Sequence, residues 1–377
     1  MEHFGHLKNG STNKNGQNLN IEFVSANPTG PLHVGHVRGA IIGDVLGKIY
    51  KKLGYNVTTE YYVNDAGNQI DILAKSVFIR YKELVENLKI DMPEDYYPGE
   101  YLISIAKVIL NLYGKKLLNS SEEYYLPIIK EISVNENLKV IKNDLKLLGI
   151  YIDIYTSEKK LIENSIVDKT IKILENKDLI YNGILPKPKS MKNSEWVPRK
   201  QKLFKSTLFG DDEDRTISKS DGSLTYFISD IAYHLDKHNR TNGTLINIWG
   251  ADHAGYVKRM IAAVKSVTGE SGNFIIKLCQ LVNLTRNSKN IKMSKRKGTF
   301  ITLKDIVNEV GSDVVRFIML TRKNDQTLDF DFNKVVLKNK ENPVFYVQYA
   351  YARICSVLRK ADDYDIDQES ILNANLN

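Results

Sequence analysis

The strongest constraint on the fold lies between Ile21 and Val63. IEFVSAN, Ile21 to Asn27, is a short apolar strand signal that NPTGP breaks with a proline and glycine turn. From Leu32 the apolar residues Val37, Ala40, Ile41, Val45, Leu46 and Ile49 recur at helical spacing up to Gly54, and YNVTTEYYV is strand-like again. A strand, helix and strand of these lengths form the unit that a right-handed parallel crossover requires. The expected class is therefore α/β. The polar turn at the head of the helix sits where unpaired N–H groups favour an anion.

The rest of the chain extends that pattern. With 377 residues it can form one large or two ordinary domains. Residues 1–20, rich in Asn, Gly and Lys, read as a flexible tail. Apolar-periodic stretches from Ile70 to Leu179 read as helices inserted between two halves of an α/β domain spanning 21–330, the insertion covering about 75–200. Pro186 to Asp214 reads as loop or short hairpin. GSLTYFISDIAYHLDK and TLINIWGADHAGYVKRMIAAV each read as a strand running into a helix, and after Asp331 the pattern becomes helical. No apolar run is long enough to span a bilayer. Cys279 and Cys355 form no C-x-x-C pair, which argues against a zinc ribbon and fits a reducing compartment, so a cytoplasmic protein without membrane or zinc is expected.

Two constellations carry chemistry. His33 and His36 share one face of the first helical turn, where imidazole N–H groups can donate to phosphate oxygens, and Gly35 leaves the backbone bare for a flat base. A buried histidine pair is an equally good reading of this decapeptide alone. The second is IKMSKRKGTF, Ile291 to Phe300, in which Lys292 and Lys295 bracket Met293 and Ser294; two ammonium groups and a hydroxyl can wrap a triphosphate. A solvated basic loop is the alternative. From Leu281 to Leu303 there are six basic residues and no acidic one, in a chain of formal charge +8, so a phosphate-rich ligand favours this segment.

HVGH followed downstream by KMSK resembles the signature pair of class I aminoacyl-tRNA synthetases. IEFVSANPTGPLHVGHVRGA, YYVNDAGNQI, KSDGSLTYFISDIAYH, GADHAGYVKRM and NPVFYVQYAYARI resemble, more specifically, bacterial arginyl-tRNA synthetases, over about Ile21 to Arg359. The resemblance implies a Rossmann-like doubly wound parallel sheet with helical insertions, followed by the start of an all-α anticodon-binding domain at 331–377. It implies ATP-dependent activation of L-arginine and transfer to tRNA(Arg), with Mg2+ as the counter-ion of ATP and a monomeric enzyme. His33, His36, Lys292 and Lys295 would act on the phosphates.

Other positions follow from the same match. Tyr226 and Asp230, four apart on one helical face, match contacts to the guanidinium, whose planar fork of donors calls for a carboxylate. Glu22 matches a further acidic pocket position, and Ser25 and Asn27 match residues near the substrate's amino and carboxylate groups. Gly250 would admit adenine or ribose, with Asp252 or His253 adding a polar contact. Strict strand alternation puts Glu22 opposite Ser25 and Asn27, so the strand must end or bulge near Ser25 if all three line one pocket. Asn64, Asp65 and Asn68 read either as turn residues or as contacts to the tRNA acceptor end. The resemblance also leads one to expect an N-terminal RNA-binding domain and a full helical bundle. Against that pattern the chain reads as shortened at both ends, which opens the alternative of an impaired or inactive fragment that keeps nucleotide or RNA binding.

Overall fold

The computed structural model describes residues 15–186, 198–219, 221–269, 273–287, 289–291, 301–337, 339 and 342–363. Strand β1 (Asn18–Glu22) leads through a turn into helix α1 (Val34–Lys52), which returns to β2 (Asn56–Val63). Helices α2 (Asn68–Glu86), α3 (Tyr101–Tyr113) and α4 (Glu122–Leu147) precede β3 (Ile154–Ser157), α5 (Glu158–Glu163) and α6 (Ile166–Asn176). An antiparallel group, β4 (Ile180–Gly183), β5 (Gln201–Phe204) and β6 (Arg215–Thr216), comes next. Then follow α7 (Tyr226–Thr241), β7 (Thr244–Gly250), α8 (Val257–Thr268) and β8 (Phe274–Cys279). The last elements are β9 (Val282–Arg286), β10 (Lys289–Asn290), α9 (Leu303–Val310), α10 (Ser312–Met319), β11 (Leu328–Asp331), α11 (Phe332–Val335) and α12 (Pro343–Asp363).

Among the described residues the main sheet has five parallel strands in the order β3-β2-β1-β7-β8. Strand order reverses between β1 and β7, and in sheets of this kind ligands occupy the crevice beyond the carboxyl ends at that point. The two faces of β1 differ. Leu19, Ile21 and Phe23 join Val34, Val37, Ala40 and Ile41 of α1 in the main core, and Gly43 lies so close that a Cβ there would stand 2.2 Å from the Phe23 ring. Asn20 and Glu22 point to the opposite face and are nearly fully buried, so they need partners. Asn20 donates to Glu60 at 2.6 Å, Arg240 of α7 donates to Glu60 at 2.8 Å, and Lys237 of α7 donates to Glu22 at 2.6 Å. A second core under α6, α7 and α8 and a third between α2, α3 and α4 complete the packing.

The sequence reading needs three corrections. β3 lies inside the stretch taken as helical, and it pairs in parallel with β2 from Glu60↔Ile154 to Val63↔Ser157; four half-buried residues are too few to establish a period of two. Residues 222–225 form no strand, only an isolated bridge between Ser218 and Leu224 before α7 begins. β1 starts at Asn18 rather than Ile21, and Asn15 already donates a backbone bond to Gly54, so the part of the expected tail that is described belongs to the fold. Residues 1–14 lie outside the described residues.

Candidate active site

His33 is the N-cap of α1 and His36 is its third residue, and the two form a reciprocal cap. Gly35 N–H donates to His33 Nδ1 at 3.1 Å, and His33 N–H donates to His36 Nδ1 at 3.2 Å. Because each Nδ1 accepts, the proton of each neutral ring sits on Nε2. The rings stack with centroids 3.9 Å apart, so two N–H donors are held side by side at a positive helix end. A Cβ on Gly35 would stand 2.9 Å from the His33 ring, so the cap itself requires this glycine, beyond any need to admit a base.

Lys292, Met293, Ser294 and Lys295 lie outside the described residues. Their flanks are anchored. Ile291 N–H donates to Leu284 of β9 at 2.9 Å on one side. On the other, Leu303 N–H donates to Leu32 at 2.8 Å and Val34 N–H to Ile301 at 3.3 Å, an antiparallel bridge that joins Thr302 to His33. The segment carrying the two lysines therefore ends against the histidine turn.

The turn after β1 resolves the alternation problem. The strand stops at Glu22, and Val24 and Ser25 adopt positive φ of 70° and 38°, with Ser25 N–H donating back to Phe23 at 3.0 Å in a γ-turn. Left-handed backbone at a β-branched residue is strained by on the order of 1–3 kcal/mol, and such strain concentrates at functional sites. It swings Ser25 back so that its hydroxyl donates to Glu22 Oε1 at 2.9 Å while accepting from Tyr62 N–H at 3.0 Å. Asn27 donates to Gln69 at 2.6 Å. Glu22 Oε2 accepts from Lys237 and, at 3.1 Å, from the Tyr233 hydroxyl. Its charge is thus neutralised inside the protein, and its role as an open acidic contact has to be revised.

Acidic groups without a cationic partner among the described residues lie beside it, at the carboxyl ends of β2 and β3 and on α7. Asp230 accepts from the Tyr256 hydroxyl at 2.7 Å. Burial raises its carboxyl to about 7, with Tyr256 pulling it down and the charge of Glu22 pushing it up. Glu158, at the first position of α5, is 3% exposed. Burial raises it to about 7 as well, followed by the charges of Asp230 and Asp65, against a hydrogen bond from Ser229. The Asn64 amide, oriented to satisfy both its ends, donates to Glu158 at 2.8 Å. Asp65 accepts from Ser157 at 2.6 Å and from Lys159 N–H at 2.9 Å. Among the described residues no cationic side chain pairs with Asp65, Glu158 or Asp230, and no three His, Cys, Asp or Glu groups converge as a metal site would require.

Into this cluster faces the Tyr62 hydroxyl, an inaccessible oxygen with no hydrogen-bond partner. Burial, then the carboxylates of Glu158, Asp230, Glu22 and Asp65, hold it firmly protonated. Tyr226 stands at the mouth, 60% exposed, its hydroxyl so close to Gly67 that a Cβ there would approach to 2.7 Å. Behind Asp230 the orientation of every group is fixed. His234 is pushed down to about 3, by burial and then by Lys237, so the ring is neutral. Its Nδ1–H donates to the Asp230 carbonyl at 2.7 Å, and its Nε2 accepts from Asn247, whose carbonyl accepts from Lys237. Burial with several carboxylates and no internal cation is costly unless a cation arrives.

Gly250 ends β7 on the other side of the switch point, and Asp252 and His253 follow it. Asp252 and His253 are exposed and 3.6 Å apart, and a Cβ on Gly250 would meet Asp252 Oδ1 at 2.3 Å. They take no part in the acidic pocket. The sequence reading missed Glu158, Tyr62 and Tyr256, and left Asp65 open between a turn and an RNA contact. Recognition of β3 as a parallel strand would have exposed Glu158, because it places this residue at a carboxyl end.

Comparisons with known proteins identify the family. Residues 4–340 match the family of class I tRNA synthetases (R), catalytic domain. An arginine–tRNA ligase of Parvibaculum lavamentivorans is 52% identical over 362 residues, 95% of this chain and 62% of that protein. One from Ehrlichia chaffeensis is 53% identical over 347 residues, 92% of this chain and 60% of the relative. The chain thus spans about 60% of the length of the curated relatives it matches. A Campylobacter jejuni crystal structure assigned as an arginyl-tRNA synthetase superposes with a TM-score of 0.84 at 37% identity, covering 100% of this chain and 79% of that one. The Thermus thermophilus arginyl-tRNA synthetase shares the fold at a TM-score of 0.63 and 18% identity, over 95% of this chain and 68% of its own.

Proposed function

Since the chain belongs to the class I arginyl-tRNA synthetase family, we propose that it activates L-arginine with ATP and passes the arginyl group to the 3′-terminal adenosine of tRNA(Arg). The observation that carries this reading is the acidic pocket: Asp230, Glu158 and Asp65 have no internal cation and surround the unpartnered Tyr62 hydroxyl. A guanidinium supplies a fixed positive charge and donors for several carboxylate oxygens at once. Asp230 and Tyr226 bind it, with Glu158 and Asp65 completing the charge and the Tyr62 hydroxyl oxygen accepting from one of its N–H groups. Glu22 acts through Ser25, which together with Asn27 holds the amino and carboxylate end.

A carboxylate oxygen of arginine attacks the α-phosphorus of ATP in line, the bond to the β-phosphate oxygen breaks, and pyrophosphate leaves with its electrons. The Nε2–H groups of His33 and His36 donate to the phosphates, and Lys292 and Lys295 neutralise the departing charge. Each such donor is worth about 3–4 kcal/mol in the transition state. Gly250, Asp252 and His253 lie on the nucleoside side. Mg2+ would be held by the ATP phosphates and would offset their charge. The 2′-hydroxyl of the terminal adenosine then attacks the carbonyl carbon of the arginyl-adenylate, the bond to the phosphate oxygen breaks, and AMP leaves as the hydroxyl proton is released. α12, which exposes Tyr346, Tyr349 and Tyr351, fits the start of a helical part that contacts RNA.

Titration calorimetry with L-arginine and with citrulline, its uncharged near-isostere, tests the pocket. Binding of arginine with at least a hundredfold preference is expected, because a site built for a charged donor strongly rejects an analogue lacking the charge. Equal affinity for the two would rule out the guanidinium assignment.

A further inference from the structure

Two residues beyond His36, α1 carries Arg38, which is 1% exposed and has no carboxylate partner among the described residues. Its guanidinium instead fills a nest of backbone carbonyls. Nη1 donates to Gln280 at 3.1 Å and to Gln326 at 2.6 Å; Nη2 donates to Arg322 at 3.2 Å and to Lys323 at 2.8 Å. All four terminal N–H groups are thus used. Gln280 sits in the β8–β9 turn, and the other three acceptors sit in the α10–β11 turn. These turns are tied to each other by Gln280 N–H to Asn324 at 2.8 Å and by the Asn324 amide to Leu278 at 2.7 Å.

A buried guanidinium is an expensive way to join a helix to two turns, since an apolar contact would serve packing alone. What it adds is direction. A planar fork meets four carbonyls in only one orientation. The turns it grips open directly into β9 and β11, which pair from Leu328↔Val282 to Asp331↔Thr285. β9 holds Ile291, the residue before the basic segment, and the residues after that segment bridge to His33.

We propose that Arg38 is a positioning residue that fixes the histidine turn of α1 against the small β9–β11 sheet, and so sets the geometry of the phosphate half of the site. It touches no substrate. The acidic pocket rests on the turn after β1, on β2 and β3 and on α7, to none of which Arg38 donates a hydrogen bond. Its loss therefore acts on ATP and not on arginine, which separates positioning from a general loss of fold. The inference rests on the functional reading above only for the identity of the two ligands.

The test compares Arg38→Lys with the unaltered chain by calorimetric titration with ATP and, separately, with L-arginine, alongside the melting temperature and arginine-dependent pyrophosphate exchange. Lysine keeps the charge but cannot meet four carbonyls. Expected is an arginine affinity within about threefold of the unaltered chain, with ATP affinity or exchange rate reduced at least tenfold, because a displacement of about 1 Å can cost on the order of a hundredfold. Equal losses for both ligands, or no loss for either, would overturn the proposal. If Arg38→Lys does not fold, Asn324→Ala decides: it loosens the carbonyl nest without touching α1, and should weaken ATP by about tenfold while arginine affinity stays within about threefold. Unchanged ATP binding in that variant would overturn the proposal too. An unaltered chain that binds ATP but not arginine would refute the functional reading, and the Arg38 comparison would then be read from ATP affinity against melting temperature.

Discussion

Asp230→Asn should weaken arginine binding while stabilising the fold. The side chain keeps its shape and can still accept from Tyr256, now 2.7 Å away, so the change is one of charge. A charge-assisted contact to a buried cation is worth about 2–5 kcal/mol. Against this stands the cost of ionising a carboxyl raised to about 7, which at pH 7 is RT ln 2, about 0.4 kcal/mol. The lower part of the range applies because Glu158 and Asp65 remain, leaving a net loss of about 2–3 kcal/mol, or roughly 30- to 150-fold in the dissociation constant for arginine. ATP affinity should change less than threefold. The stability effect has the opposite sign. A carboxyl raised from 3.8 to about 7 in the folded state keeps its proton where the unfolded chain has released it; its favourable contribution is complete below pH 3.8 and lost as pH rises through 7. Asn carries no such penalty, so the variant should melt higher than the unaltered chain at pH 8, with the gap closing near pH 4. Calorimetry with both ligands and melting curves at the two pH values check this. Equal losses for arginine and ATP, or a lower melting temperature at pH 8, would make Asp230 a structural residue.

Arginine affinity should rise with pH through about 7, because Asp230 and Glu158 both release their protons on binding a permanent cation; titrations at pH 7 in buffers of different ionisation heat should differ, and identical heats would refute it. His36→Ala removes a phosphate donor and one half of the α1 cap, so adenylate formation should fall at least tenfold with arginine affinity unchanged; normal pyrophosphate exchange would refute the role. Lys237→Met leaves Glu22 charged and unpaired, at 0% and 7% side-chain exposure in the pair, and should cost about 3–5 kcal/mol in chemical denaturation. Adding Glu22→Gln should recover most of that loss, and no recovery would mean the pair is not the reason.

What was legible in the sequence follows from how far each signal reaches. The β1–α1–β2 unit depends on local spacing and is present in the order read, although β1 runs from Asn18 to Glu22 rather than from Ile21 to Asn27. Of the positions matched by family motif, Glu22 and Gly250 end β1 and β7, Tyr226 and Asp230 lie on α7, and Lys292, Met293, Ser294 and Lys295 lie outside the described residues. Glu22 was visible as buried and acidic, but its neutralisation by Lys237 depends on a contact across 215 residues of chain. Glu158 and Tyr62 were invisible for a related reason. Their meaning comes from β3 joining the sheet, a four-residue pairing that no periodicity announces. The tautomer of the histidines likewise needs atomic partners, not spacing.

The most direct measurement is amino-acid-dependent ATP–pyrophosphate exchange by this chain, run with tRNA(Arg) transcript present and with L-arginine, L-lysine and citrulline offered one at a time. Exchange that requires arginine, falls to background with lysine and citrulline, and is reduced at least thirtyfold in arginine efficiency by Asp230→Asn is the expected result. Exchange supported equally well by lysine or citrulline, or unaffected by loss of the Asp230 charge, would contradict the assignment of the acidic pocket to a guanidinium.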